Sequence, residues 1–371
     1  MRQLGSHSLP VAALPASAEA VVQDLRRSQP AYRQLDRTVL LGLLAAREAT
    51  AAAGWDSASP LSSVQGKTEI SVSMGSSRGA TGRLEEFHAE FLQEGTVPIA
   101  ASPLTTLGNV ASWVAYDAGS TGGASLSHSS TCSSAFQALG NATAWLRAGM
   151  ATRFLAGGTE APLTDFTLAQ MQAIGIYSPF AAADFPCRPG AGRPSTFVLG
   201  EGAAVFALEK VSAASLNEQP RQPVAVLEGV GFGFEAIGSK TGLSVDGQHF
   251  QQAMRNALGQ SGRRVAEIDA VVLHSPGTPA GDAAERAALR AVFGQELPLL
   301  LSNKWLIGHT LGASAALSLD FALHVLETQQ WPTPLFPTDL ASTQGARPLR
   351  RILVNAAGFG GNAASAIVSL R

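Results

Sequence analysis

The chain has 371 residues, 46% of them hydrophobic and 15% charged, with a formal net charge of −2. That supports a large core and excludes the basic excess expected of a nucleic-acid binder. Its two cysteines, Cys132 and Cys187, are too few for a disulfide framework, and no run approaches about 18 uninterrupted apolar residues, so a cytoplasmic protein with no membrane span is expected.

In chain order, DRTVLLGLLAAREATAAAG (36–54) predicts a helix, with an aspartate at its start and a glycine at its end. EISVSMGSS (69–77) alternates like a strand and reaches a glycine turn. Helices follow over 83–95 and, largely apolar, over 104–119. ASLSHSSTC (124–132) reads as a strand running into a helix over 134–148, in which Ala135, Leu139, Ala142 and Leu146 share one face. RFLAGGTEA (153–161) is a strand, and FVLGEGAAVFALEK (197–210) reads as two strands around Gly-Glu-Gly. The polar, proline-bearing NEQPRQP (217–223) marks the internal boundary, giving halves of 1–220 and 221–371.

The second half repeats the rhythm. A strand at 225–236 precedes a helix at 247–260, then a strand and loop at 268–278 precede a helix at 282–294. LPLLLSNKWLIGH (297–309) is strand then loop, 310–330 a long helix, and 350–370 strand, glycine loop, strand. Alternation of this kind predicts an α/β fold with largely parallel pairing and two pseudo-duplicated halves.

Cys132 sits where a strand turns into a helix, among small residues (Ser129, Ser130, Thr131, Ser133, Ser134). Unpaired amides there lower a thiol pKa and can hold an oxyanion. Locally, a nucleophile and an inert buried cysteine are both open readings. Of the seven histidines, none forms a compact metal-binding pair, and His7, His88, His128, His249 and His324 have ordinary settings. His274 and His309 differ, since each follows a strand-like run where α/β folds build sites. His309 also opens a predicted helix, which favours neutral imidazole. Lys304 precedes it in a loop, with Asp282 and Glu285 as available partners.

Six ordered segments together carry a resemblance: STCSSAFQAL, AGGTEA, FVLGEGAAVFALEK, HSPGTPAGDAAE, SNKWLIGHTLGASAA and NAAGFGGNAAS. From about residue 36 onward the chain resembles a β-ketoacyl-[acyl carrier protein] synthase, a condensing enzyme of the thiolase superfamily. The resemblance implies a five-layer αβαβα fold, two sheets among three helical layers, dimerising through neighbouring central strands. It implies a decarboxylative Claisen condensation that elongates a fatty acyl or polyketide chain. Cys132 would accept the acyl group. His274 and His309 would hydrogen-bond the malonyl thioester carbonyl, and Lys304 with Glu285 would form a supporting ion pair, with Asp282 beside it. The amides of Cys132 and Phe359 would make the oxyanion hole, with Phe359 as gate. Thr278, Gly358 and Gly360 would meet substrate, and Trp113, with Asn109 and Ser112, would line the acyl pocket. No metal or redox cofactor is implied; substrate arrives on the phosphopantetheine of an acyl carrier protein, the expected partner. Arg26, Arg27, Arg263, Arg264, Arg350 and Arg351 are candidate docking residues for that acidic partner.

The chain departs from the family pattern in three places. Its first strand is hard to find, Pro276 replaces a threonine, and the loop RPGAGRPST (188–196) lacks the usual acidic and aromatic residues. These features point to a specialised pathway, such as polyene synthesis. They also keep open a chain-length-factor-like partner without catalysis, in a heterodimer with another ketosynthase. A Cys-His-Asn thiolase or starter-unit synthase is disfavoured by the second histidine and Lys304.

Overall fold

The computed structural model describes residues 1–4, 7–55, 69–211, 224–236, 244–342 and 347–371. The boundary expected at 217–223 lies outside the described residues. The chain opens with β1 (Arg2–Leu4) and β2 (His7–Leu9), an antiparallel pair, then β3 (Val11–Ala12) and α1 (Ala16–Ser28). α2 (Arg37–Ala52) is capped by Asp36, whose carboxylate accepts the Thr38 N–H at 2.7 Å. β4 (Ser71–Gly75) leads to α3 (Thr81–Glu94), which ends on left-handed Gly95. The single helix expected over 104–119 is instead two, α4 (Ala101–Thr105) and α5 (Asn109–Asp117), because Thr106 is extended and interrupts them.

β5 (Ser125–His128) is shorter than expected and releases the chain four residues before Cys132; α6 (Ser134–Ala148) then matches the reading. β6 (Arg153–Glu160), α7 (Asp165–Ala173), β7 (Leu199–Gly200) and β8 (Gly202–Glu209) complete the first half. The second half runs β9 (Ala225–Phe234), α8 (Gln248–Ser261), β10 (Ala270–Val272), α9 (Pro279–Phe293) and β11 (Leu299–Leu301). It closes with α10 (Lys304–Ile307), α11 (Ser314–Thr328), β12 (Arg351–Gly358) and β13 (Asn362–Leu370).

The first sheet has the order β5-β4-β6-β8 and the second β11-β10-β12-β13-β9. Pairing in each is parallel as far as β6 and β12, then antiparallel through β8 or through β13 and β9. The expectation of largely parallel pairing is therefore corrected: the sheets are mixed. One cause is local. The turn Phe359–Gly361, with φ of 86° at Gly360 and 79° at Gly361, folds β13 back on β12 as a hairpin.

α6 and α11 lie between the two sheets, where Phe136, Leu139, Leu319 and Val325 share one core with Phe154, Val272 and Val354. α2 and α5 cover the outer face of the first sheet, and α8 with α9 that of the second. The result is a five-layer αβαβα stack of two similar halves. Glycines set the spacing. A Cβ on Gly75 would fall into the backbone of Ser134 and Ala135, and one on Gly158 would meet Ala135 and the backbone at 312–313. Among the described residues, no helix is long and apolar enough to cross a membrane.

Candidate active site

Cys132, Thr278, His274, His309, Gly358 and Phe359 line one mainly apolar cavity of about 450 Å³. The first half supplies the cysteine and the second both histidines. Cys132 stands two residues ahead of α6, on a tight elbow where Thr131 takes φ 53°. Ser134 holds that elbow, its Oγ accepting the Ser130 N–H at 2.9 Å and donating to the Thr131 carbonyl. A left-handed threonine is costly, which marks the turn as held by its surroundings. Gly358 packs so closely here that a Cβ would strike Thr131 Oγ1 and lie 2.9 Å from the Cys132 amide nitrogen. Phe359 is 40% exposed at the cavity mouth.

The thiol pKa is not lowered, as the helix-start argument expected. Burial and the nearby Glu160 carboxyl push it up to about 12, against the pull of Lys304, Arg78 and its own amide. Cys132 opens only partly to the cavity, and packed protein surrounds its other sides. Cys187 is also pushed to about 12, and sits beneath the loop at Pro276.

His309 does not open a helix. It lies in a short bridge, its N–H on the Val198 carbonyl (2.7 Å) and its own carbonyl accepting from Gly200. Its neutrality comes from burial and the Lys304 charge, which bring its pKa down to about 3. The Leu311 N–H donates to Nδ1 at 2.9 Å. Nδ1 is therefore the acceptor, so the neutral ring carries its proton on Nε2. Leu311 needs φ 43° to aim that N–H. His274 stands edge-on to His309, with ring centroids 5.2 Å apart. Burial and the neighbouring His309 hold its pKa well below the usual histidine range.

The expected Lys304–Glu285 ion pair does not form. Lys304 is 1% exposed and donates to Asn303 Oδ1 and Ser318 Oγ, both at 3.0 Å. Burial lowers its pKa to about 8. Glu285, on α9, accepts the N–H groups of His274 (2.9 Å) and Ser275 (2.7 Å), the Ser275 hydroxyl and the Asn355 amide. It thus fixes the His274 loop through its backbone. Asp282 does not meet Lys304 either. It accepts from Gly190 (2.8 Å) and Gly277 (3.2 Å), and burial raises it to about 7.

Trp113 and Gly360 are not among the residues lining this cavity. Because α5 packs outside the first sheet, Trp113 stands edge-on to Tyr32 and Tyr116 instead. Of the candidate docking arginines, Arg263 and Arg351 are both committed to Glu228, each at 2.8 Å. Two of the three sequence departures adjoin: in the 188–196 loop, the Thr196 N–H donates to the carbonyl of Gly277, the residue after Pro276, at 2.7 Å.

The sequence reading passed over several residues. Glu160, 0% exposed, accepts from Ser76, Ser77, Arg78 and Gly312, tying three segments together. α7 was missed entirely, although Thr164-Asp165 is a recognisable helix start. It brings Met171 to the cavity, where Arg78, Phe250 and Leu311 also stand.

Two adjoining family models match the chain, the N-terminal domain of β-ketoacyl synthase over residues 6–214 and the C-terminal domain over 224–335. The chain belongs to the β-ketoacyl synthase family. This ketosynthase is 30% identical over 358 residues to the ketoacyl synthase alpha subunit of tetracenomycin polyketide synthase from Streptomyces glaucescens, covering 90% of this chain and 81% of that one. Its fold matches that of a β-ketoacyl synthase from Burkholderia phymatum STM815, with TM-score 0.81, 24% identity, and 97% and 87% of the two chains covered. It also matches the ishigamide ketosynthase/chain length factor, with TM-score 0.77, 22% identity, and 91% and 82% covered. The ketosynthase match begins at residue 6, earlier than the resemblance from residue 36 suggested, and takes in the β3–β7 pairing of Val11 with Leu199. By family it is a β-ketoacyl-[acyl carrier protein] synthase, an acyltransferase of fatty acid and polyketide synthesis.

Proposed function

We propose that this ketosynthase is itself catalytic, condensing an acyl group held on Cys132 with a malonyl group on an acyl carrier protein. The observation that carries this reading is the convergence of Cys132, His274 and His309 on one cavity, with the His309 proton held on Nε2. In the first step, the Cys132 sulfur attacks the acyl carrier thioester. Its proton leaves on the departing pantetheine thiol, and the acyl–sulfur bond passes to Cys132. The high thiol pKa means that the free cysteine waits as a thiol, with thiolate formed in the attack.

In the second step, malonyl loses CO2, and the electron pair of the broken bond forms an enolate whose oxygen receives hydrogen bonds from His274 and His309. With Nδ1 already occupied, His309 donates from Nε2 and has no free lone pair for a base. The enolate carbon attacks the Cys132 acyl carbonyl, and the amides of Cys132 and Phe359 receive the oxyanion. Collapse releases the β-ketoacyl carrier thioester and the Cys132 thiolate, which regains a proton from water. Lys304 supplies a buried positive charge near both steps, and Glu285 positions His274. The chemistry uses no metal or redox cofactor, and Thr278, which lines the cavity, would meet the phosphopantetheine arm. An acyl carrier protein in complex with its ketosynthase and a ketosynthase/chain length factor, both among the similar structures, support partners of those two kinds, and the tetracenomycin polyketide synthase relative supports a polyketide product class.

Intact mass spectrometry after incubation with a panel of acyl carrier thioesters tests this reading. The expected result is an acyl adduct on the wild type and none on Cys132→Ala. A wild type that stays unmodified with every donor, yet copurifies with a second ketosynthase, would overturn it in favour of the chain-length-factor reading.

A further inference from the structure

Among the described residues, no carboxylate pairs with the guanidinium of Arg78, which lines the cavity that holds Cys132. It follows β4, and its backbone is fixed because its N–H donates to the buried Glu160 at 3.1 Å. Its half-buried side chain lines the same cavity as Cys132, with Met171, Ile174 and Leu311 as apolar neighbours. Among the described residues, the one hydrogen bond of its guanidinium is a long contact of 3.4 Å to Thr167 Oγ1, on α7. Among the described residues, ion pairs engage Arg37, Arg47, Arg263 and Arg351, but no carboxylate lies within 4 Å of the Arg78 guanidinium.

A guanidinium in this position decides what can fill the cavity. An alkyl chain laid against it would strip water from its N–H groups and return no hydrogen bond. A carboxylate would accept two parallel N–H bonds from the planar fork. The positive charge is also felt at Cys132, whose thiol it draws downward. We propose that Arg78 selects acyl groups that end in a carboxylate, the half-thioesters of dicarboxylic acids. Their methylenes would lie on Met171, Ile174 and Leu311 and their free carboxylate on Arg78. This rests on the condensing reading above, since the acyl group must first reach Cys132.

The test compares loading of Cys132 by adipoyl and hexanoyl carrier thioesters, followed by intact mass on the full chain. The adipoyl-to-hexanoyl ratio of rates is the readout, because a damaged fold lowers both. Wild type is expected to favour adipoyl, and Arg78→Leu to lower the ratio about tenfold or more, as when a polar recognition contact is lost. Arg78→Lys should retain part of the preference. Arg78→Gln, which keeps a hydrogen-bonding group for Thr167, replaces Arg78→Leu if that variant does not fold. A wild type that prefers hexanoyl, or a ratio unchanged in the variants, overturns the inference and leaves condensation intact. No adduct from any donor overturns the condensing reading, and this one with it.

Discussion

At His309, a backbone amide decides which ring nitrogen holds the proton, and burial decides that there is only one. The unfolded ring binds a second proton near pH 6.5, whereas the folded ring does so only near 3. Between those values the unfolded chain holds the extra proton, so this contribution is fully present above 6.5 and is lost as pH falls. From pH 6.5 to 5 the loss is about 2 kcal/mol. Asp282 works in the opposite sense: with its pKa raised to about 7, its contribution fades as pH rises through that value. The contrast with a variant is therefore more informative than the raw curve. Thermal melts at pH 7 and pH 5 should show a smaller acid penalty in His309→Asn than in wild type. Lys304 gives a second residue-scale expectation. Its partners Asn303 and Ser318 also hydrogen-bond each other at 3.0 Å, so Lys304→Met leaves them satisfied. Replacing a buried charge with an apolar chain of similar length is often neutral or stabilising. The melting temperature should hold or rise, while condensation in a malonyl-dependent assay falls about tenfold or more.

At the level of elements, β9 and α8 show what a pattern of small residues does. Gly229, Gly231 and Gly233 alternate along the strand, and a Cβ on any of them would run into α8. At Gly231 the obstacles are backbone atoms of Ala253, Asn256 and Ala257, which cannot swing aside. Gly231→Ala should therefore lift α8 and cost about 1–3 kcal/mol, readable by urea denaturation. Because α8 carries Phe250 on the cavity wall, the same change should weaken acyl loading. GVGFGF read from sequence as a strand, and it is one, but its glycines mark an approach that only the partner helix explains. Helices 36–54, 83–95 and 134–148 were legible because caps and apolar spacing are local signals. Pairing direction was not, since apolar strands such as β6 and β8 carry no local mark of the direction in which they pair. The Lys304–Glu285 pairing failed for a similar reason. The resemblance implied the pair, but could not show that Glu285 is saturated by backbone amides and Asn355.

The whole molecule places its chemistry at the seam of two similar halves, with neither half holding a complete set. Cys132, His274 and His309 could be singled out in the sequence because each follows a strand-like run, whereas Arg78 and Glu160 lie in segments whose role appears only when the halves meet. Glu160 shows the consequence in time. Its carboxylate serves Ser76, Ser77 and Arg78 from its own half, but its bond to Gly312 spans 152 residues of chain. At ordinary rates of synthesis, ~5–20 residues per second, a ribosome needs roughly 10–30 s to make that stretch. During that interval the first half stands with its central carboxylate unfinished, while His274 and then His309 are still to be added late in the same stretch. On the condensing reading, the cavity that joins Cys132 to both histidines is therefore completed only once the last third of the chain has been made.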